Sequence, residues 1–130
     1  MRISDLESML MTEGLLVKPT GTDCAVSGVT YNSKAASKGG LFICKGAAFK
    51  REYLLEAVDR GAACYLADKD YDVLIPGVIV TDIRKAMALC ACMFFGHPSK
   101  KLDLIGITGT KGKTTVSYMT KAVLQQAGRG

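Results

Sequence analysis

A glycine-rich turn lies between an apolar run and a helix-like segment near the end of the 130-residue chain. The turn reads Gly106-Ile-Thr-Gly-Thr-Lys-Gly-Lys-Thr-Thr115, the apolar run covers residues 102–107, and the helical pattern continues to Ala127. Glycines at positions 109 and 112 can adopt backbone angles that other residues avoid, so that successive amide N–H groups can converge on an anion. The positive end of the following helix points at the same place. This order predicts an α/β unit with a phosphate-binding loop.

The turn matches the second half of the P-loop pattern G-x-x-x-x-G-K-[ST]. Ile107 stands where the pattern has its first glycine, so the match is incomplete. In the matching half, Lys113 would reach the outer phosphates of a nucleoside triphosphate as a point charge. The hydroxyl of Thr114 would bind the magnesium ion that bridges these phosphates. The alternative is an ordinary turn between a strand and a helix.

Composition limits the broad class of the protein. A chain of 130 residues with 48% apolar side chains has room for one domain of typical size with a hydrophobic core. Residues 1–13 alternate charged and apolar side chains, unlike a secretory signal peptide, and no apolar run approaches the length of a membrane span. We therefore expect a cytoplasmic protein with no membrane partner. The formal charge of +5 would suit an anionic ligand, but the lysines are scattered, and we expect no nucleic-acid partner.

The five cysteines are expected to be reduced core residues. Most of them lie inside apolar runs, and no two have the C-x-x-C spacing that is typical of metal sites. Cys90 and Cys92 would face away from each other on a helix, because residues two apart do not share a helix face. The sequence therefore favours buried thiols over metal ligands.

Strand-like and helix-like segments alternate through the first hundred residues. Ser4 and Glu7 have the spacing of a capping box for a first helix that ends at Gly14. The predicted strands are residues 24–31, 41–45, 62–67 and 78–81, and the further predicted helices are residues 50–60 and 82–95, the last with Asp82 as its N-cap. The alternation predicts an α/β fold with a mixed or parallel sheet flanked by helices.

The polar segment at residues 96–101 interrupts this alternation and predicts a domain boundary. The predicted domains are residues 1–98 and residues 99–130. The second would contribute one strand, the phosphate loop and one helix. Since a single βα unit cannot bury its own faces, we expect it to be the start of a truncated P-loop ATPase domain.

Several segments, which follow the family's order along the chain, resemble the Mur ligase family. Thr108-Gly-Thr-Lys-Gly-Lys-Thr-Thr115 resembles the family's T-G-T-N-G-K-T-T loop, and His97-Pro-Ser99 lies shortly before it. Val29-Thr-Tyr-Asn-Ser-Lys34 resembles the T-x-D-S-R segment, and Gly40-Leu-Phe-Ile-Cys-Lys-Gly46 follows at a similar distance. Gly61-Ala62 and Thr81-Asp-Ile-Arg-Lys-Ala86 keep the family's order. Nearly the whole chain thus resembles the N-terminal region of Mur ligases, most closely the MurE type, the UDP-N-acetylmuramoyl-tripeptide synthetases, with the MurF type as the alternative.

The resemblance implies an ATP-dependent ligase of peptidoglycan synthesis with ATP and Mg²⁺ as cofactors. Its first domain would hold the UDP end of UDP-N-acetylmuramoyl-dipeptide, and diaminopimelate or lysine would be joined to the peptide through an acyl phosphate. Lys113 would be the catalytic residue that stabilises the transferred phosphoryl group, and Thr114 would be the metal ligand. The fragment alone is expected to be inactive, and the enzyme to be a monomer.

The resemblance also implies the residues of both sites. Those that would bind the nucleotide cofactor are Gly109, Thr110, Lys111, Gly112, Lys113, Thr114 and Thr115. Those that would bind the UDP end of the substrate are Tyr31, Ser33, Gly46, Ala47, Ala48 and Phe49. Without the resemblance, Ser33 is an ordinary residue of a polar turn.

Several residues depart from the family pattern. Asn32 and Lys34 stand where aspartate and arginine are usual, Lys111 replaces an asparagine, and residues 42–53 lack the usual Asp-Gly pair. These departures leave open a divergent or non-catalytic module that binds a UDP-sugar. An unrelated P-loop ATPase or GTPase is a third alternative, but it would place the loop after the first strand of its domain, whereas residues 1–98 precede it here.

Overall fold

The computed structural model of the protein describes residues 1–128. The chain divides into two compact units, one at Met1–Pro98 and the other beginning at Ser99. In the part of the chain that is described, no helix is long and apolar enough to cross a membrane. The functions assigned to the two parts of the sequence remain predictions.

Five strands and three helices form the first unit, and one helix dominates the second. The strands are β1 (Leu16–Lys18), β2 (Val29–Thr30), β3 (Leu41–Ile43), β4 (Cys64–Ala67) and β5 (Gly77–Val80). The helices are α1 (Ile3–Thr12), α2 (Arg51–Asp59), α3 (Ile83–Phe94) and α4 (Lys113–Gln126), with short 3₁₀ turns at Ser33–Ala35 and Pro98–Lys100. The strand order is β1-β5-β4-β3-β2, with β2 to β5 parallel and β1 antiparallel to β5. The predicted α/β fold with a mixed sheet is therefore confirmed.

Both faces of the sheet are covered, which explains why its central strands are continuous apolar runs. Along β3, Leu41 and Ile43 belong to one hydrophobic cluster and Phe42 belongs to the other. The first cluster also contains the buried side chains of α1 and α3, and the second contains those of α2. The alternation of side chains along each strand therefore gives the sheet two cores.

The start of α1 differs from the sequence prediction. The helix begins at Ile3, so Ser4 lies inside it and the predicted capping box is wrong. The amide of Ser4 donates instead to Asp23 Oδ1 at 3.1 Å, and the carboxylate of Glu7 accepts from the amide of Thr20 at 2.6 Å. The local cap is formed two residues earlier, where the amide of Arg2, the N-cap residue, donates to Asp5 Oδ2 at 3.3 Å.

Two strand predictions also need correction. The strand expected at residues 24–31 is formed only at Val29–Thr30, and Ala25 makes a single bridge with Arg2. The edge strand β1, which the sequence analysis did not predict, pairs with β5 with Leu16 opposite Val80. A strand of three residues is too short to give a period, so its position depends on the neighbouring strand.

Tyr65 connects the edge of the sheet to the loop after β4. Its ring lies over Gly77, where an added Cβ would stand 2.3 Å from Cζ. Its hydroxyl donates to Asp70 Oδ1 at 2.7 Å, and Lys18 Nζ in β1 donates to Asp70 Oδ2 at 2.6 Å. Burial raises the pKa of Tyr65 to about 12, and hydrogen bonds from Lys18 and then from Tyr65 hold the pKa of Asp70 well below its usual range.

The second unit contains the predicted helix but not the predicted strand. The helix α4 has Gly112 as its N-cap, and its last turn ends at Gln126. Residues 102–107 form no strand, and Leu104 is 70% exposed. A strand requires a neighbour whose backbone groups can pair with its own, and within residues 99–128 there is none.

Candidate functional site

The carboxyl ends of β2 and β3 lie side by side, because these strands are parallel neighbours with Thr30 opposite Phe42. The chain continues from them into residues 31–34 and residues 44–49. In open α/β sheets, ligands bind outside the carboxyl ends of the strands. The sheet therefore brings to one edge the two segments in which a UDP site was predicted.

Tyr31 and Lys45 meet at this edge. The Tyr31 side chain directly after β2 is 63% exposed, and the ammonium nitrogen of Lys45 lies 4.1 Å from the centroid of its ring. A cation at this distance is attracted to the face of an aromatic ring. Lys45 was not among the predicted site residues, although a lysine just after a buried strand and just before Gly46 was a visible signal.

Ser33 is held by the protein itself. It is only 7% exposed, and its hydroxyl donates to Glu56 Oε2 of α2 at 2.6 Å, while Arg60 donates to the other oxygen of Glu56 at 3.1 Å. The hydrogen bond from Ser33, followed by the one from Arg60, holds the pKa of Glu56 below its usual value. Ser33 and Glu56 thus join the 3₁₀ turn to α2, and the role of Ser33 toward UDP stays a prediction.

The loop after β3 is open where the sequence predicted ligand contacts. Gly46 has φ of 98°, in the region that favours glycine, and an added Cβ would meet nothing within 4 Å. Ala47 and Ala48 are exposed, so the backbone here is covered only by small side chains. Phe49 is half-buried, and its ring packs edge-on against Tyr71 with centroids 5.3 Å apart. Phe49 therefore anchors the loop to Tyr71.

The thiol next to this loop is buried and has a raised pKa. Cys44 is buried, and desolvation, with Asp68 nearby, raises its pKa to about 12. Burial likewise raises the pKa of Cys90 to about 12. All five cysteines are free thiols, and among residues 1–128 no three side chains of histidine, cysteine, aspartate or glutamate form a metal-binding group.

The phosphate loop has the backbone geometry that its sequence predicts. Gly109 has φ of 148° and Gly112 has φ of 77°, both at positive angles that favour glycine. The ammonium group of Lys113 donates to the carbonyl oxygen of Gly109 at 2.7 Å, so it lies over the loop. The first amides of α4 have no carbonyl within the helix to bond and face the same region. These residues fit the phosphate tail of a nucleotide.

The other predicted residues of this site follow the same short stretch of backbone. Thr110 and Lys111 lie between the two glycines, and Thr114 and Thr115 belong to the first turn of α4, all with exposed side chains. Thr114 is placed one residue after Lys113 at the amino end of the helix, as a magnesium ligand requires. The assignment of each of these residues to ATP or Mg²⁺ remains a prediction.

Curated relatives match most of the chain. The UDP-N-acetylmuramoyl-L-alanyl-D-glutamate–L-lysine ligase of Streptococcus pneumoniae strain R6 is 52% identical over 101 residues, which are 78% of this chain and 21% of that protein. The ligase of the same name from Streptococcus suis strain 05ZYH33 is 45% identical over 108 residues, which are 83% of this chain and 22% of that protein. The chain thus spans about a fifth of the length of these relatives. No protein-family model matches it.

Solved structures share the fold. A UDP-N-acetylmuramoylalanyl-D-glutamyl-2,6-diaminopimelate–D-alanyl-D-alanyl ligase from Acinetobacter baumannii matches 95% of this chain and 28% of its own, with a TM-score of 0.64 and 21% identity. A crystal structure of MurF from the same organism matches 65% of this chain and 19% of its own, with a TM-score of 0.52 and 19% identity.

The mixed sheet flanked by helices defines an α/β protein, and the glycine-rich loop before α4 has the backbone angles expected of a phosphate-binding loop. The relatives support the family that the sequence predicted: the chain is similar to Mur ligases, of which it spans about a fifth. Within that family, the relatives that match at 45% to 52% identity are named as ligases that add L-lysine.

Proposed function

We propose that the chain is the N-terminal part of an ATP-dependent ligase that adds L-lysine to UDP-N-acetylmuramoyl-L-alanyl-D-glutamate in peptidoglycan synthesis. The observation that carries this proposal is the 52% identity over 101 residues to ligases of that name. The sequence left open diaminopimelate or lysine, and the names of the relatives favour lysine. The MurF-type alternative is supported by solved structures at 19% and 21% identity, which reflect the shared fold.

The first unit would bind the UDP end of the nucleotide substrate. This assignment is supported by the carboxyl edge of β2 and β3, where Tyr31 is exposed and the loop at residues 46–48 carries only small side chains. A planar base and a phosphate group can both approach backbone amides closely at such a loop. Ser33 would act by holding its turn against α2 through Glu56.

The second unit would bind the phosphates of ATP. The amides at Gly109, Gly112 and the first turn of α4 would surround them, and Lys113 would exchange the carbonyl of Gly109 for a phosphate oxygen. Thr114 would bind Mg²⁺ through its hydroxyl. ATP, when bound, supplies the phosphoryl group that activates the substrate carboxyl. The part of Lys113 is to stabilise charge on that group.

The location and assembly of the enzyme are part of the proposal. We propose that the enzyme lies in the cytoplasm and is a monomer. The location is supported by the five free thiols, of which Cys44, Cys64 and Cys90 are buried in the core.

The proposal is tested with the intact protein that contains this chain. It is incubated with ATP, Mg²⁺, UDP-N-acetylmuramoyl-L-alanyl-D-glutamate and either L-lysine or diaminopimelate, and the products are measured by mass spectrometry together with ADP. We expect the tripeptide product and ADP in equal amounts with L-lysine. Product formed only with diaminopimelate would correct the choice of amino acid, and no product with either would contradict the assigned reaction.

A further inference from the structure

We propose that Lys45 binds the diphosphate of the UDP substrate, and that Tyr31 positions its ammonium group. This inference rests on the proposed function of the first unit and names, within that unit, the residue that receives the phosphates. Neither the Mur ligase sequence segments nor the names of the relatives assign this role to Lys45.

The position of Lys45 is fixed by the sheet. It follows β3 after the buried Cys44, and its side chain reaches toward β2, where its nitrogen lies over the Tyr31 ring at 4.1 Å. Backbone and ring therefore restrain both ends of a side chain that is otherwise flexible. A restrained cation loses less freedom when it binds an anion than a lysine that is free in solvent.

The neighbouring charges leave Lys45 available. The ion pairs of the described chain are Arg2 with Asp23, Lys18 with Asp70 and Arg60 with Glu56. Lys45 is in none of these pairs, and its contact with the exposed ring of Tyr31 is a weak attraction. Hydrogen bonds between an ammonium group and a phosphate are charge-assisted, so an arriving diphosphate can bind the ammonium group where the ring holds it.

Lys34 and Lys69 are less suited to the role. Lys34 lies near the carboxylate of Glu56, whose pKa it helps to lower, so its charge is already partly compensated. Lys69 lies beyond β4, with its nitrogen 5.3 Å from the centroid of Tyr71. Lys69 therefore has the same kind of partner as Lys45 but does not adjoin the edge of β2 and β3, and it serves as a matched control.

The loop after Lys45 supplies the second half of the phosphate site. Gly46 has φ of 98°, and Ala47 and Ala48 are exposed, so the amides that follow Lys45 in the chain have no bulky side chains over them. A cation next to accessible backbone amides is a common arrangement for binding phosphate oxygens. A nucleoside without phosphates would use neither group.

The experiment compares the binding of UDP and of uridine to the whole chain, by titration followed through amide NMR signals. Lys45→Met keeps the apolar stem and removes the charge, and we expect it to weaken UDP binding roughly tenfold or more while changing uridine binding less than twofold. Tyr31→Phe keeps the ring and should bind UDP as the wild type does. Tyr31→Leu should weaken UDP binding, as Lys45→Met should. Lys69→Met should leave both affinities unchanged.

The outcomes separate this inference from the proposed function. If the wild-type chain binds no UDP, the proposed function of the first unit fails, and the inference fails with it. If the wild type binds UDP and Lys45→Met binds it equally well, only the inference is overturned. An equal loss in Lys69→Met would indicate a general effect of net charge, and an equal loss for uridine would indicate a contact with the nucleoside. Either result would overturn the inference.

Discussion

The contact between Tyr65 and Gly77 gives a quantitative test of the packing between β4 and β5. In Gly77→Ala, the new methyl group would stand 2.3 Å from Cζ of Tyr65. Carbon atoms in contact are usually at least about 3.5 Å apart, so the ring and the methyl group would have to separate by about 1.2 Å. Tyr65 is 1% exposed and packs edge-on against Tyr71, so it has little room to move.

The expected cost is at the upper end of the range for overpacked cores, about 3 kcal/mol. For a unit of about 100 residues, 1 kcal/mol corresponds to a change of about 5 °C in Tm, so we expect a decrease of about 15 °C. The matched control is Gly28→Ala, because an added Cβ there would meet its nearest atom, Ser37 Oγ, at an ordinary 3.8 Å. Its Tm should change by only a few degrees, since nothing must move to accept the methyl group.

Thermal unfolding can be followed by near-ultraviolet circular dichroism and by tyrosine fluorescence, since the chain has five tyrosines and no tryptophan. Replacing Tyr65 by leucine in the Gly77→Ala background should recover part of the loss, which a double-mutant cycle would measure as a coupling energy. Equal Tm values for Gly77→Ala and Gly28→Ala would refute the packing argument, as would the absence of coupling between Tyr65 and Gly77.

Two further predictions concern titrating groups. Asp70→Asn should lower the stability of the fold at pH 7: because the pKa of Asp70 is lowered in the folded state, its contribution is present above the unfolded pKa and is lost as the pH falls through the folded pKa. Urea titrations of both proteins across acidic pH check this, and a difference that grew toward low pH would have the wrong sign. Cys44 and Cys90, with pKa values raised to about 12, should react with a thiol reagent at pH 8 far more slowly than the half-exposed Cys24 and Cys92. Counting the modified thiols by mass spectrometry over time tests this, and five equally fast thiols would contradict the burial.

Local patterns predicted several elements well. α3 follows from Asp82, whose carboxylate accepts from the amides of Arg84 and Lys85, and from the apolar period behind it. α2 extends over Arg51–Asp59, within one residue of the predicted ends. The positive φ angles of Gly109 and Gly112 could be predicted because few other residues adopt them.

The features that the sequence did not reveal depend on distant parts of the chain. Ser4 is not the N-cap because α1 begins at Ile3, and its amide donates to Asp23, 19 residues away. β1 forms because β5 has backbone groups with which it can pair. Residues 102–107 form no strand because no other strand lies beside them in the described chain. Lys45 meets Tyr31 only through the parallel register of β2 and β3. None of these pairings can be predicted from the secondary-structure propensities of the residues involved.

The most direct test of the central claim is the effect of Lys113→Ala on the proposed lysine ligation reaction of the intact protein. Because the ammonium group over the loop is assigned to the transferred phosphoryl group, the variant should lose at least about 100-fold in kcat. Lys100→Ala, an exposed lysine of the 3₁₀ turn before the loop, is the control and should remain near the wild-type rate. Ligation by Lys113→Ala at the rate of the control would contradict the claim that this loop binds ATP for catalysis.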